Sequence, residues 1–284
     1  ISTAVGHAMA KEDVLAPYYR DYAAQIQRGV DMSEIYQYWG GDERGSQYQN
    51  QAEDFPIAVP IASQCLHAAG IAFAFKYRKQ SRVAVTSIGE GGTSEGEFYE
   101  AINVAGAWNL PVVFIVNNNQ WAISVPREKQ TACRTFAQKA IAADIEGVQV
   151  DGNDILACRQ LIGEKIEKAR RGEGPTVIEA ITYRLCDHTT ADDASRYQPQ
   201  SQFDEAKHKE PIARFRKFLV NKNLWDDAKE QALLEQCHQK VTQAVEKYEA
   251  TGIPPLASVF DYHYQELPPE LEQQKLQAIE DHGE

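Results

Sequence analysis

The stretch RVAVTSIGEGGTSEGEFYEAINVAGAWNLPVVFIVNNNQWAISVP, residues 82–126, decides the fold. An apolar run from Val83 to Ile88 ends in the turn Gly89-Glu90-Gly91-Gly92. Phe98, Ala101, Ile102, Ala105 and Trp108 then recur at steps of three or four, the spacing of one helix face. A second apolar run, Val112 to Val116, closes on Asn117, Asn118 and Asn119. Strand, glycine turn, helix, strand is a right-handed parallel unit, and the carboxyl ends of such strands are where open α/β sheets take ligands.

The chain on either side extends this alternation. Downstream, Gly147 to Val150 reads as a strand closed by Asp151-Gly152. Asn153 or Asp154 then caps a helix with Ile155, Ile162, Ile166 and Ala169 on one face, and Thr176 to Arg184 is a further strand. Upstream, residues 2–13 read as a helix capped by Ser2 or Thr3, and Pro17 breaks it. Residues 32–39 form a short helix, 40–54 a polar loop, and Ile61 to Arg78 a nearly all-apolar buried helix in which His67 reads as a satisfied core histidine. The expected fold is α/β: a mostly parallel sheet flanked by helices, with residues 1–222 as the binding domain and 223–284 as a C-terminal helical extension. Helices are expected over 207–222 and 226–249, after a polar, turn-rich loop from Cys186 to Gln200.

Composition narrows the function. A 284-residue chain with net charge −12 is a poor match for nucleic acid or an anionic membrane surface. Its apolar runs are too short to span a bilayer and no secretory signal is visible, so a cytoplasmic protein is expected. Cys65, Cys133, Cys158, Cys186 and Cys237 contain no CxxC pair; they read as reduced thiols, most of them small core hydrophobes.

The turn at Gly89–Gly92, followed by a helix, can cradle a phosphate. It lacks the Lys-Ser/Thr of a P-loop and the complete GxGxxG-plus-acid pattern of a dinucleotide fold. Instead Glu90 follows the first strand and Asn119 the second, 29 residues later. Adjacent parallel strands would set these side chains together. A carboxylate, an amide oxygen and a backbone carbonyl are hard donors suited to Mg²⁺ that also holds a diphosphate. The plainer alternative makes Glu90 a helix cap and the asparagines a turn. In LAPYYRDY, the residues alone favour a surface turn at Tyr18, Tyr19, Arg20 and Asp21 over an anion site.

The pattern GEG followed by NNN resembles the thiamine diphosphate motif. The string from Gly89 to Pro126, with KEDVLAPYYRDY, VDGND and ITYRLCDHTTADDASRY, resembles the alpha chain of the decarboxylating component of 2-oxoacid dehydrogenase complexes. It is most similar to bacterial two-chain pyruvate dehydrogenases, with branched-chain 2-oxoacid and acetoin dehydrogenases as the alternatives. A non-catalytic scaffolding subunit is a further, weaker alternative. The resemblance implies Mg²⁺ held by Glu90, Asn119 and the Trp121 carbonyl. Gly89, Gly91 and Gly92 would lie against the diphosphate, Tyr19 and Arg20 at its phosphate, and the Ile61 backbone at the aminopyrimidine. This replaces the surface-turn reading of Tyr19-Arg20.

His188 is implied as the catalytic histidine, also touching the cofactor. Arg184 is expected at the base of its loop, and Asp192, Asp193 and Arg196 in its closed form. Many relatives carry Asp at Glu90, Tyr or Phe at Trp121, and some an arginine at Asn117; branched-chain relatives share Glu at the first position. The implied reaction is decarboxylation of a 2-oxoacid, pyruvate foremost, with reductive acylation of lipoamide on an acyltransferase partner. The implied assembly is an alpha2-beta2 heterotetramer whose beta subunit supplies the glutamate for the aminopyrimidine. The family usually carries sequence before the position of Ile1, so a trimmed N-terminus is expected.

Overall fold

The computed structural model describes residues 1–261 and 263–282. In chain order, α1 (Ser2–Ala8) leads to β1 (Val14–Ala16), then α2 (Tyr22–Arg28), α3 (Met32–Trp39) and α4 (Ser63–Tyr77). Next come β2 (Ala84–Gly89), α5 (Gly96–Ala107), β3 (Val112–Asn118) and a small antiparallel pair, β4 (Trp121–Ala122) and β5 (Val125–Pro126). A short α6 (Arg127–Gln130) and a 3-10 turn (Ala137–Ala143) precede β6 (Glu146–Asp151), α7 (Ile155–Arg170) and β7 (Thr176–Ile181). The chain ends in α8 (Gln200–Lys207), α9 (Pro211–Asn221), α10 (Asp227–Ala250), α11 (Ser258–Asp261) and α12 (Pro269–His282).

The main sheet has the order β1-β2-β3-β7-β6, and every pairing in it is parallel. β3 is apolar at consecutive positions because both of its faces are covered. Val112, Phe114 and Val116 pack with Ala68, Ala72, Phe98 and Ile102 of α4 and α5. Val113 and Ile115 pack with Val5 of α1 and Ile162 and Ile166 of α7 on the other face. Burying a side chain of this size contributes about 1.5–3 kcal/mol, so truncating Ile115 to alanine would strike the sheet at its centre.

Side-chain caps set several helix starts. Asp31 accepts from the Ser33 N–H at 2.9 Å while Glu34 accepts from the Asp31 N–H at 3.0 Å, a reciprocal cap for α3. Asp154, the second of the two expected candidates, caps α7 through the N–H groups of Leu156 and Ala157. Arg214 of α9 reaches Asp154 at 3.0 Å, and Lys247 of α10 reaches Asp31 at 2.6 Å, which places the C-terminal helices against the sheet domain.

Several expectations are corrected. The first helix stops at Ala8, and Ser2 caps nothing; its hydroxyl donates to Asp21 at 3.0 Å. Residues 14–16 form the edge strand β1, paired with Ala84–Thr86. The buried Asp13 turns the chain into that strand: its carboxylate accepts from the N–H of Ala10 and of Val83 and pairs with Arg170 at 2.7 Å. His67 is an exposed residue, not a core histidine, and its ring lies 5.6 Å from that of Phe55. The reason lies in α4: Cys65, Ala68 and Ala72 pack into the core against the sheet, while its opposite face, with Leu66, Phe73 and Tyr77, stays exposed. All five cysteines are free, but only Cys65 and Cys158 are buried; Cys133 is half-buried and Cys186 and Cys237 are exposed. The helix expected over 207–222 begins only at Pro211, where Glu210 caps it, and ends at Asn221; a separate helix, Gln200–Lys207, precedes it.

Candidate active site

The site begins with the register of two strands. Gly89 pairs with Asn117, so the residues that leave β2 and β3 at their carboxyl ends emerge together. Glu90 follows the strand into the turn with only 1% of its surface exposed. Its Oε2 accepts from the Asn119 N–H at 3.2 Å, while Oε1 is buried with no hydrogen-bond partner. The carboxylate does not cap the following turn. Asn119 bends back in the same way, its Oδ1 accepting from the Trp121 N–H at 3.1 Å. Burial pushes the Glu90 carboxyl above its usual range, while backbone N–H donors and the Arg184 charge act against this.

A buried carboxylate oxygen without a donor is expensive, and a hard cation is the group that would satisfy it. Among the described residues no cluster of three or more His, Cys, Asp or Glu exists, so a transition-metal site of that composition is not present there. One carboxylate beside an amide oxygen and backbone carbonyls is a donor set that fits Mg²⁺, with its remaining positions left to phosphate or water.

The turn itself is a 3-10 segment, Gly91–Ser94. A methyl group on Gly91 would lie 2.6 Å from the Ala122 side chain, and one on Gly92 2.8 and 2.9 Å from Ile88 and Ile61. The two glycines let the turn nest between β4 and the start of α4. At Gly89 an added methyl would meet nothing within 4 Å and would project into open space. The turn is held from outside by two residues that carry no motif signal. Gln130 Nε2 donates to the carbonyls of Glu90 and Gly91 at 3.1 and 3.2 Å and to Ser94 Oγ at 2.6 Å. Lys139 Nζ donates to the Thr93 carbonyl at 2.7 Å.

Two distant segments close the opposite side. Tyr18 is fixed to the end of β3 by the Asn117 amide, which donates to its hydroxyl at 3.3 Å. Arg20 follows, and its Nη2 donates to the His188 carbonyl at 2.6 Å. The loop after β7 is braced by Arg184, which donates to the carbonyls of Cys186 at 3.1 Å and Ile123 at 2.9 Å and to the Tyr197 hydroxyl. Tyr197 donates in turn to Asp192, which also accepts the His188 N–H at 2.7 Å. Asp193 caps the short turn at 194–196, and the Arg196 side chain stays exposed outside this network.

Burial lowers the pKa of His188, and the Arg20 and Arg184 guanidinium groups lower it further. Arg184 Nη1 stands 3.5 Å from His188 Nδ1. Because a guanidinium only donates, Nδ1 is assigned as the acceptor and Nε2 as the protonated nitrogen. Burial and the two guanidinium groups thus disfavour the imidazolium form of His188.

These segments surround one cleft of about 470 Å³. Tyr19, Arg20, Ile61, Gly89, Glu90, Gly91, Gly92, Asn119, Trp121 and His188 all line it, together with Tyr18 and Cys186. A larger hollow of about 800 Å³ lies beside the carboxyl ends of β6 and β7 and shares Trp121 with it, but it lacks Glu90, Arg20 and His188. Gln130 and Lys139 were not legible in the sequence; the only hint for Lys139 is a lone charge among Phe136, Ala137, Ala140 and Ile141.

Comparisons with known proteins agree with this geometry. The dehydrogenase E1 component family matches residues 1–257. The chain is similar to the pyruvate dehydrogenase E1 component subunit alpha of Staphylococcus aureus strain Mu50, with 41% identity over 269 residues, 94% of this chain and 73% of the relative. The protein of the same name from Staphylococcus epidermidis strain ATCC 12228 is 40% identical over the same shares. With the family matched across nearly its whole length, the chain belongs to the dehydrogenase E1 component family.

Proposed function

We propose that this chain is the alpha subunit of an acetyl-transferring pyruvate dehydrogenase and holds the diphosphate end of the cofactor. The observation that carries the reading is the buried, unpartnered Oε1 of Glu90, a residue that lines the same cleft as Arg20 and His188. The family uses thiamine diphosphate, whose thiazolium supplies a nucleophilic carbon and an electron sink for decarboxylating a 2-oxoacid. Glu90, Asn119 and the Trp121 carbonyl would hold Mg²⁺. Gly89, Gly91 and Gly92 would lie against the diphosphate, with Arg20 pairing its charge and Tyr19 beside it.

Ile61 also lines the cleft, and its backbone would meet the aminopyrimidine; the left-handed Ala62 that follows (φ 69°) turns the chain into α4. His188, neutral and with Nε2–H free to donate, would orient the substrate's oxygen and move a proton during acyl transfer. A beta subunit would complete the site, and the lipoyl group of an acyltransferase would take the acetyl group. Relatives that are alpha subunits by name support both partners.

The substrate side chain is tested by turnover of the alpha–beta complex with pyruvate and with 2-oxoisovalerate. Pyruvate is expected to be preferred. A preference for the branched acid beyond the roughly 10–200-fold that a methylene difference yields in an apolar pocket would move the assignment to the branched-chain enzymes.

A further inference from the structure

Lys139 is 4% exposed, in the 3-10 turn Ala137–Ala143 packed behind the glycine turn. Its ammonium donates to the Thr93 carbonyl at 2.7 Å and otherwise faces aromatic rings, those of Tyr99 at 5.0 Å and Phe136 at 5.6 Å. No carboxylate among the described residues forms an ion pair with it. Buried charges are ordinarily paired, and two ring faces compensate only part of the lost hydration. Thr93 is fully buried and belongs to Gly91–Ser94, the segment whose first two residues line the cleft. One peptide turn, in which Thr93 is fully buried, therefore separates a cation without a carboxylate partner from the place where a diphosphate would lie.

We propose that the counter-ion of Lys139 is the cofactor's diphosphate, attracted across the turn without direct contact. Lys139 is then a positioning residue. Its hydrogen bond fixes the Thr93 carbonyl on the outer side of the turn, and its charge adds positive potential on the anion side. The effect is substantial because Coulomb attraction is far stronger in a dry interior than in water. This inference rests on the thiamine diphosphate reading of the site.

Calorimetry on the alpha–beta complex, at fixed Mg²⁺, separates charge from shape by comparing thiamine diphosphate with thiamine monophosphate. Lys139→Gln keeps a donor for Thr93 and removes the charge. It is expected to weaken the diphosphate about tenfold and the monophosphate clearly less, whereas Lys139→Arg stays near the parent. The melting temperature of the cofactor-free complex should hold or rise in Lys139→Met, since an unpaired buried charge has been removed. Equal losses for both ligands, no loss for either, or a collapse of cofactor-free stability in both uncharged variants would overturn the proposal. If the parent complex itself bound no thiamine diphosphate, the cofactor reading would fail first, and this inference with it.

Discussion

The guanidinium of Arg20 donates to the main-chain carbonyl of His188 at 2.6 Å, across 168 residues of sequence. This contact joins the loop after β1 to the loop after β7 and closes the cleft over the glycine turn. Replacing Arg20 with methionine should release the 186–198 segment and remove a phosphate partner. A charge-assisted hydrogen bond is worth about 1.5–3 kcal/mol, so cofactor affinity should fall by about tenfold or more. Limited proteolysis with and without cofactor, followed by calorimetry, checks both effects. Unaltered cleavage of the loop would show that the contact carries no load.

His188→Ala should separate binding from chemistry. Glu90, Asn119 and Arg20 would still hold the diphosphate, so affinity for thiamine diphosphate should change little. Acetyl transfer to lipoamide should drop by about 10²–10⁴-fold, the usual worth of a positioned acid–base group. Single-turnover transfer assays with the complete complex read this directly, and near-parental transfer would refute the assigned role.

Asp21 should make stability depend on pH. It is fully buried, and burial holds its carboxyl up at about 7. The unfolded chain releases that proton near pH 4, so between about pH 4 and 7 the folded form binds more protons than the unfolded form. Stability should therefore fall as pH rises through this window and then level off, by on the order of 3–4 kcal/mol in total. Asp21→Asn keeps an oxygen for the Ser2 hydroxyl and should flatten the profile, leaving the variant the more stable one at pH 8. Urea titrations at pH 5 and pH 8 test this; parallel profiles for parent and variant would exclude an ionising Asp21.

The Arg28–Asp54 pair is almost wholly buried, with bonds of 2.6 and 2.8 Å, and Asp54 also accepts the Leu15 N–H at 2.8 Å. It ties the polar 40–54 segment to β1. Asp54→Ala strands the guanidinium and should cost about 3–5 kcal/mol. Replacing both partners with apolar residues should recover most of that loss. Thermal melts of the two variants decide between a stranded charge and a lost contact, because equal melting temperatures would remove the charge argument.

Much of this arrangement could be read from the sequence, and the exceptions have physical causes. Parallel pairing of two apolar runs forces Glu90 and Asn119 to emerge side by side, so their distance in sequence carried their proximity in space. β1 carries no sequence signal because three apolar residues between a helix and Pro17 have no period of their own; Asp13, accepting from Val83 just before β2, helps set them beside it as a strand. His67 was misread because an apolar stretch looks buried on all sides, whereas this chain covers only one face of α4. Gln130 and Lys139 act on the turn through partners 36 and 46 residues away, Ser94 and Thr93, so their role depends wholly on tertiary contact.

Glu90 as a metal ligand in a diphosphate clamp underlies every other assignment in the cleft. Its most direct test is the Mg²⁺ dependence of thiamine diphosphate binding to the alpha–beta complex, measured calorimetrically for the parent and for Glu90→Ala. The parent should bind tightly and with Mg²⁺ dependence, and the variant weakly and without Mg²⁺ sensitivity, its cofactor-free fold no less stable because the orphaned buried oxygen is gone. Binding by Glu90→Ala with parental affinity and parental Mg²⁺ dependence would contradict it.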